Sequence, residues 1–323
     1  MSIDMIRAAA ARLDGHARVT PLLNSPFIDE IAERRVWIKA ECLQHTGSFK
    51  FRGGWAAISA LDPATRAAGV IAFSSGNHAQ GVAYAAQLHG IPSVIVMPSN
   101  APALKIANTR AYGAEVVLYD RATQDRDAMG AQIAQDRGLT LIKPYDEPEV
   151  IAGQGSVGLE IAAQAAAIGI TQADVLVCCG GGGLTSGIAL ALEADAPNMR
   201  VRPVEPEGFD DVARSLQSGQ IERNSRTSGN ICDAIISPQP GDITFPIMHR
   251  LCAPGLIVDE NEALRAMAQA FLRLKLVAEP GGAVALAAAL YRQDQIEGAD
   301  VIVTVSGGNV DPEIFARSLQ TLS

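Results

Sequence analysis

Four short segments of this chain gather residue types that can do chemistry. In Thr46-Gly47-Ser48-Phe49-Lys50-Phe51-Arg52-Gly53-Gly54 a lysine follows a small flexible turn and precedes a helical stretch expected to start near Gly53. A lone lysine is ordinarily a solvated surface group. Phe49 and Phe51 on either side suggest partial burial, and a desolvated amine has a lowered pKa that suits Schiff-base chemistry. In Ser74-Ser75-Gly76-Asn77-His78-Ala79-Gln80-Gly81 hydroxyls, an amide and free backbone N–H groups precede a helix, a cradle for a carboxylate. The plainer alternative is an N-cap turn in which Ser75 or Asn77 only satisfies backbone donors. Gly180-Gly181-Gly182-Gly183-Leu184 lets the backbone aim several N–H groups at one anion, with the following helix adding partial positive charge, so a phosphate is the natural guest. Its spacing is neither that of a dinucleotide fingerprint nor that of a Walker loop, which argues against NAD and ATP. The fourth segment, Ser306-Gly307-Gly308-Asn309-Val310-Asp311, closes an apolar strand.

The elements that must position these loops alternate. Apolar, β-branched runs (VWIKAE, VIAF, SVIVMP, AEVVLY, LTLIKP, ADVLVCC, RVRPVE, DVIVTVS) are separated by helix-period stretches around 77–89, 102–111, 123–136, 184–193 and 260–274. This is α/β wiring with parallel strands buried on both faces. Residues 69–145 hold four of the strands and three of the helices and are expected to form a small mobile domain. Residues 1–68 and 146–323 then make a discontinuous large one. Ligands in open α/β sheets sit beyond the carboxyl ends of strands, and all four segments lie at such ends or just before helices. A buried lysine, an anion cradle, a tetraglycine loop and a serine at a strand end together suit pyridoxal 5'-phosphate.

Composition narrows the partners. With 323 residues, 48% hydrophobic and 19% charged, the chain is too apolar for disorder. A net charge of −9 opposes nucleic acid and anionic lipid. The first twenty residues mix Asp4, Arg7, Arg12 and Asp14 into apolar positions, unlike a signal peptide, and no apolar run reaches the ~20 residues of a membrane span. The expectation is a cytoplasmic protein acting on a small molecule. Cys42, Cys178, Cys179, Cys232 and Cys252 lack zinc-site spacing and read as reduced, mostly buried thiols.

GSFKFRG, SSGNHAQG, GGGG and SGGNVD, in this order, resemble the pyridoxal-phosphate enzymes with the tryptophan synthase β-subunit type of fold (fold type II), in the serine/threonine dehydratase and serine racemase branch. The resemblance spans essentially the whole chain, including VEPEGFDD and VAEPGGAVALAA. It implies two open twisted sheets flanked by helices, with Lys50 bonded to the cofactor aldehyde and Phe49 against its ring. Asn77 would lie near the ring hydroxyl, Gly180 to Gly183 and Leu184 around the phosphate, and Ser306 at the pyridine nitrogen. Ser74, Ser75, Asn77 and His78 would bind the substrate carboxylate. Ser75 would also face Cα opposite the lysine, as in serine racemases, where a hydroxyl can act as a second acid or base. A homodimer is implied as well.

Glu205-Pro206-Glu207-Gly208-Phe209-Asp210-Asp211 resembles the divalent-cation site of that branch, with the carboxylates of Glu205 and Asp211 and the Phe209 carbonyl as hard oxygen ligands for Mg²⁺, Ca²⁺ or Mn²⁺. The alternative is an acid-rich helix start. The implied reaction is β-elimination from a small β-hydroxy amino acid. HTGSFKFRGGW and SGNICDAIISPQPGDITF are most similar to bacterial 3-hydroxyaspartate dehydratases, which makes 3-hydroxyaspartate the favoured substrate, giving iminosuccinate or oxaloacetate. Serine/threonine dehydration and serine racemisation are the alternatives. A second substrate carboxylate needs a donor, for which His45 is a candidate; the other reading of His45 is a polar residue that touches no substrate. Cys232-Asp233-Ala234 departs from the Ala-Asp-Gly of many relatives, and the short stretch after SGGNVD leads to the expectation of a catabolic role.

Overall fold

The computed structural model describes residues 1–74, 76–101, 103–120 and 123–322, the side chains at 104 and 127 aside. Among these, ten strands form two sheets. The strands are β1 (Leu22–Asn24), β2 (Arg35–Lys39), β3 (Val70–Phe73), β4 (Ser93–Pro98), β5 (Glu115–Tyr119), β6 (Thr140–Leu141), β7 (Ala173–Cys178), β8 (Met199–Pro206), β9 (Leu256–Val258) and β10 (Asp300–Thr304). The first sheet has the order β1-β2-β10-β7-β8-β9 and the second β5-β4-β3-β6. Every pairing is parallel except β1 with β2. All eight runs read from the sequence are strands. The two extra ones, β1 and β9, have three residues each and sit at the sheet edges, too short to leave a periodic signal.

Parallel wiring brings the carboxyl ends of β2, β7 and β10 to one edge and those of β3 to β6 to another. The helix Pro280–Tyr291, Ala-rich and apolar all round, is buried from Pro280 to Leu290 in the core of the larger sheet. Helix Lys50–Ala60 begins at Lys50, three residues before the expected start. Gly53 and Gly54, which read as turn residues, lie inside it because neighbouring helices come too near for a side chain. A Cβ on Gly54 would stand 3.1 Å from the Gly81 carbonyl oxygen, and one on Gly53 would overlap the Gln154 amide. The helix also lends Phe51, Trp55 and Ile58 to the core under β3 and β4. The stretch expected as one helix over 260–274 is an α-helix, Glu260–Gln269, that widens into a π-turn at Ala270–Leu274 and ends on the left-handed Lys275. No helix among the described residues is long and apolar enough to cross a membrane.

Candidate active site

The carboxyl edges of the two sheets face each other across a cavity of about 1190 Å³. Phe49, Lys50, Ser74, Asn77, His78, the run Gly180 to Leu184 and Ser306 all line it. The segments thus converge on one wall-to-wall site. Ser75 lies outside the described residues.

Lys50 is held there from behind. Thr46, at a left-handed φ of 59°, and Gly47, at 74°, turn the chain so that the helix starts at the cavity wall. Two residues on, the buried Arg52 donates to Glu41 (2.8 Å), to Glu160 (2.6 Å) and to the Ser156 hydroxyl (3.1 Å). Lys39, also buried, bonds Glu160 at 2.5 Å and the Thr20 carbonyl at 2.7 Å. This network ties β2, helix Lys50–Ala60 and helix Pro148–Ala167 together and fixes where the lysine emerges. The Lys50 amine donates to the Pro144 carbonyl (2.6 Å) and lies 5.2 Å from the centre of the Phe49 ring. Burial lowers its pKa from 10.5 to about 8, so a useful fraction is free amine near neutrality.

The glycine loop is shaped by what presses on it. A Cβ on Gly181 would overlap the Tyr145 ring, one on Gly182 the Met248 side chain, and one on Gly180 would meet the Ile235 carbonyl at 2.9 Å. Gly182 is left-handed at 90° and serves as N-cap of helix Gly183–Asp195. The Gly181 carbonyl is drawn outward by the Thr244 hydroxyl (2.7 Å). The first-turn N–H groups of the helix have no intrahelical acceptor and stand at the cavity. Beside them the Thr185 hydroxyl is buried without a partner. An unsatisfied hydroxyl, a glycine cradle and a partly neutral lysine around one cavity fit pyridoxal phosphate.

Ser74 turns its hydroxyl back to accept from the Gly76 N–H (3.2 Å), as a capping turn would. His78 is buried, with its Nε2 2.9 Å from the Ile142 carbonyl and its Nδ1 unpartnered. Burial, and then the nearby Lys50, push its pKa down to about 3, so the ring is neutral, donates to that carbonyl through Nε2 and leaves Nδ1 as an acceptor. Asn77 bonds Glu279 and Asn309.

His45 is not brought to the cavity wall. Its ring packs edge-on against Phe51 (4.9 Å between centres) and beside Tyr84 (5.5 Å). The positive groups that do line the cavity are Lys105, Arg126 and Lys143 besides Lys50. Glu205, Phe209 and Asp211 form a separate cluster. Both Glu205 oxygens accept N–H bonds from the start of helix Asp211–Ser218, at Val212 (2.9 Å) and Ala213 (2.7 Å). Asp211 accepts from Asn224 (2.6 Å) through one oxygen, while the other is buried without a partner. Burial, then Asp211, raises the Glu205 pKa well above its ordinary value, and burial raises that of Asp211 to about 7. Two adjacent buried acids with an orphaned oxygen fit a cation, although the described residues hold no group of three or more His, Cys, Asp or Glu placed to bind one. Glu205 also does the work of a helix cap, the alternative reading of this segment.

Reasoning from sequence passed over Glu279, Asn309, Thr185 and Tyr145. Glu279 stands directly before Pro280 at a helix start, where an acid reads as first-turn capping, and nothing in its neighbours' periodicity says that it faces a cavity.

The chain matches the model of the family described as pyridoxal-phosphate dependent enzyme over residues 13–308. It is 44% identical over 317 residues to the L-threo-3-hydroxyaspartate ammonia-lyase of a Pseudomonas species, covering 98% of each chain. It is 40% identical over 316 residues to the serine racemase of Schizosaccharomyces pombe, covering 98% of this chain and 96% of that one. The solved structure of maize serine racemase superposes with a TM-score of 0.90 at 36% identity, covering 99% of this chain and 97% of that one. With its lysine, glycine cradle and strand-end serine gathered in one cavity, the chain belongs to the pyridoxal-phosphate-dependent enzymes of fold type II.

Proposed function

We propose that the protein catalyses β-elimination from a small β-hydroxy amino acid, with 3-hydroxyaspartate as the favoured substrate and iminosuccinate or oxaloacetate and ammonia as products. The observation that carries the elimination is the Lys50 amine, drawn toward neutrality in the cavity that also holds the glycine loop and Ser306. Bound pyridoxal phosphate supplies an electron sink that stabilises negative charge at the substrate Cα. Lys50, once free, is the base for the Cα proton. Gly180 to Gly183 and the N–H of Leu184 would hold the phosphate, with Phe49 against the ring and Asn77 near its hydroxyl. Ser306 would offer the pyridine nitrogen a hydroxyl, which unlike a carboxylate need not keep that nitrogen protonated. The Ser74 hydroxyl and the backbone N–H groups of Asn77 and His78, at the start of helix Asn77–His89, would orient the substrate carboxylate together with Ser75, which is also the candidate acid or base on the opposite face.

The substrate rests on likeness to the 3-hydroxyaspartate ammonia-lyase and on the positive field of Lys105, Arg126 and Lys143 along the cavity, which serves a second carboxylate better than His45, packed against Phe51 and Tyr84. Glu205, the Phe209 carbonyl and Asp211 would take Mg²⁺, Ca²⁺ or Mn²⁺ in a structural or activating role. Residues 69–145 would move as a unit to close the cavity, in a cytoplasmic homodimer.

The test is release of ammonia and keto acid from pyridoxal-phosphate-loaded protein given the four 3-hydroxyaspartate stereoisomers, L-serine, D-serine and L-threonine, with Lys50→Ala as control. Selective oxaloacetate formation from one hydroxyaspartate isomer is expected. Pyruvate, 2-oxobutyrate or D-serine as the main product would make the protein a serine/threonine dehydratase or serine racemase. Turnover that survives Lys50→Ala would overturn the lysine's role.

A further inference from the structure

Among the described residues Glu279 is the one buried carboxyl on the wall of the active-site cavity, and the side chain it bonds, Asn77, lines the same cavity. Its carboxyl accepts from the Asn77 amide nitrogen at 2.5 Å. Its backbone N–H donates to the Gly307 carbonyl (3.0 Å), so the acid is tied to the strand end that carries Ser306. A Cβ on Gly307 would overlap the Glu279 carboxyl and come within 3.1 Å of the Asn77 amide nitrogen, so that position makes room for the pair. Asn77 is bound on its other side too, where its amide oxygen accepts from Asn309 (2.7 Å) and Asn309 donates also to the Thr46 carbonyl (2.8 Å).

The direction of this chain follows from its first member. A backbone carbonyl can only accept, so the Asn309 group facing Thr46 is its NH₂. The same NH₂ faces Asn77, whose near atom must then be oxygen, which leaves the Asn77 NH₂ toward Glu279. That NH₂ has two protons and Glu279 takes one. The other has no protein acceptor among the described residues, and Asn77 lines the cavity. We infer that Glu279 is a positioning residue: with Asn309 it locks the Asn77 amide so that an N–H, and not the carbonyl, is presented to the ring oxygen of the bound cofactor. This rests on the reading of Asn77 as the residue beside that oxygen.

The acid that closes the chain also titrates in a useful place. Burial raises its pKa to about 7, against the pull of the Asn77 bond. Asp233 and Asp311 add to the rise and Lys105, from helix Ala103–Ala111, opposes it. The thiols of Cys42 and Cys232 also face it, each held neutral by burial. Below that pH the chain ends on a neutral acid, above it on a carboxylate that grips Asn77 harder and places a negative charge beside the ligand.

The experiment compares Glu279→Gln, Glu279→Ala and Asn77→Ala with the parent protein loaded with pyridoxal phosphate. It measures the cofactor dissociation constant and the pH dependence of the bound-cofactor absorbance, and on the cofactor-free protein the melting temperature from pH 5 to 8. A glutamine oxygen can still accept from Asn77, so Glu279→Gln is expected to keep cofactor affinity within about 3-fold while losing the absorbance change centred near pH 7. Glu279→Ala is expected to weaken affinity by about 10-fold or more, as for loss of a hydrogen bond to a charged group. Between pH 4.5 and 7 the unfolded chain ionises this acid while the folded one keeps it protonated, so it makes stability fall as pH rises. The cofactor-free Glu279→Gln protein should therefore lose less melting temperature from pH 5 to 8 than the parent. Unchanged affinity in Glu279→Ala beside a weakened Asn77→Ala would overturn the inference, as would an unaltered absorbance titration in Glu279→Gln. If Asn77→Ala also binds like the parent, the fault lies in the placement of Asn77 and the inference goes with it.

Discussion

The two sheets hold their charges in opposite ways. Around the larger one, Lys39, Glu41 and Arg52 are buried; Arg52 pairs with Glu41 and shares Glu160 with Lys39, in a network that joins two helices and a strand. Around the smaller one, Arg137 and Glu115 pair at 2.6 Å with both side chains about half exposed. The interior strands β7 and β4 are buried along their whole length in both sheets, whereas of the edge strand β5 only Tyr119 is buried. A buried pair fixes position because breaking it strands a charge in a poor solvent, while an exposed pair exchanges freely with water. The groups that must be exact, Lys50 and the glycine loop, hang from the first kind of support. The smaller sheet supplies Ser74, Asn77 and His78 on the opposite wall, and the contacts that cross the cavity include the Asn77 bonds to Glu279 and Asn309 and the looser Lys105–Asp233 pair, 3.4 Å apart. This contrast underlies the proposal that one half holds and the other closes.

The contrast breaks most readily at Arg52. Arg52→Leu leaves the buried Glu41 without its cation and takes from Glu160 one of its two, and chemical denaturation should register a loss of about 3–5 kcal/mol. The cofactor should bind more weakly as well, since the start of the Lys50 helix loses its anchor. A loss no larger than that of a surface substitution would mean that the network does not support the site.

Next in size is Gly181→Ala, whose methyl meets the Tyr145 ring and forces the cradle apart. Equilibrium titration with pyridoxal phosphate should show affinity reduced by about 10- to 100-fold, in line with overpacking of a tight site. Stability of the cofactor-free protein should change less than in Arg52→Leu. If affinity is unaffected, the tetraglycine run does not seat the phosphate.

The smallest effect belongs to the exposed pair. Arg137→Ala should leave the denaturation midpoint, cofactor affinity and turnover where they are, because solvent replaces what the pair provides. A clear drop in any of them would erase the distinction between the two supports.

Much of the site was legible in the chain. Glycine runs, a lysine after a flexible turn and apolar runs of strand length are local signals, because each reflects what a backbone can do within a few residues. Lys50, Asn77, Gly180 to Gly183 and Ser306, all of which line the cavity, lie in segments picked out that way, and parallel wiring placed them beyond strand ends or just before helices. Three-residue β1 and β9 carried no such signal. Gly53 and Gly54 misled about the helix start, since their lack of a side chain serves contact with helices Asn77–His89 and Pro148–Ala167 and not a turn. His45 misled by adjacency, being close to Lys50 in sequence yet turned into the aromatic packing of Phe51 and Tyr84.

By itself, then, the sequence determined the alternation of strands and helices, the cofactor class and the residues at the ends of β3, β7 and β10, since these depend on local geometry and residue chemistry. Only the tertiary structure decided which groups share a wall. It brought Glu279 and Asn309 onto Asn77 from 202 and 232 residues away, set Tyr145 against Gly181, and left Glu205 and Asp211 together in the interior. Such neighbours are set by how the sheets pack, and the burial that tunes Lys50 and Glu279 exists only once they have packed.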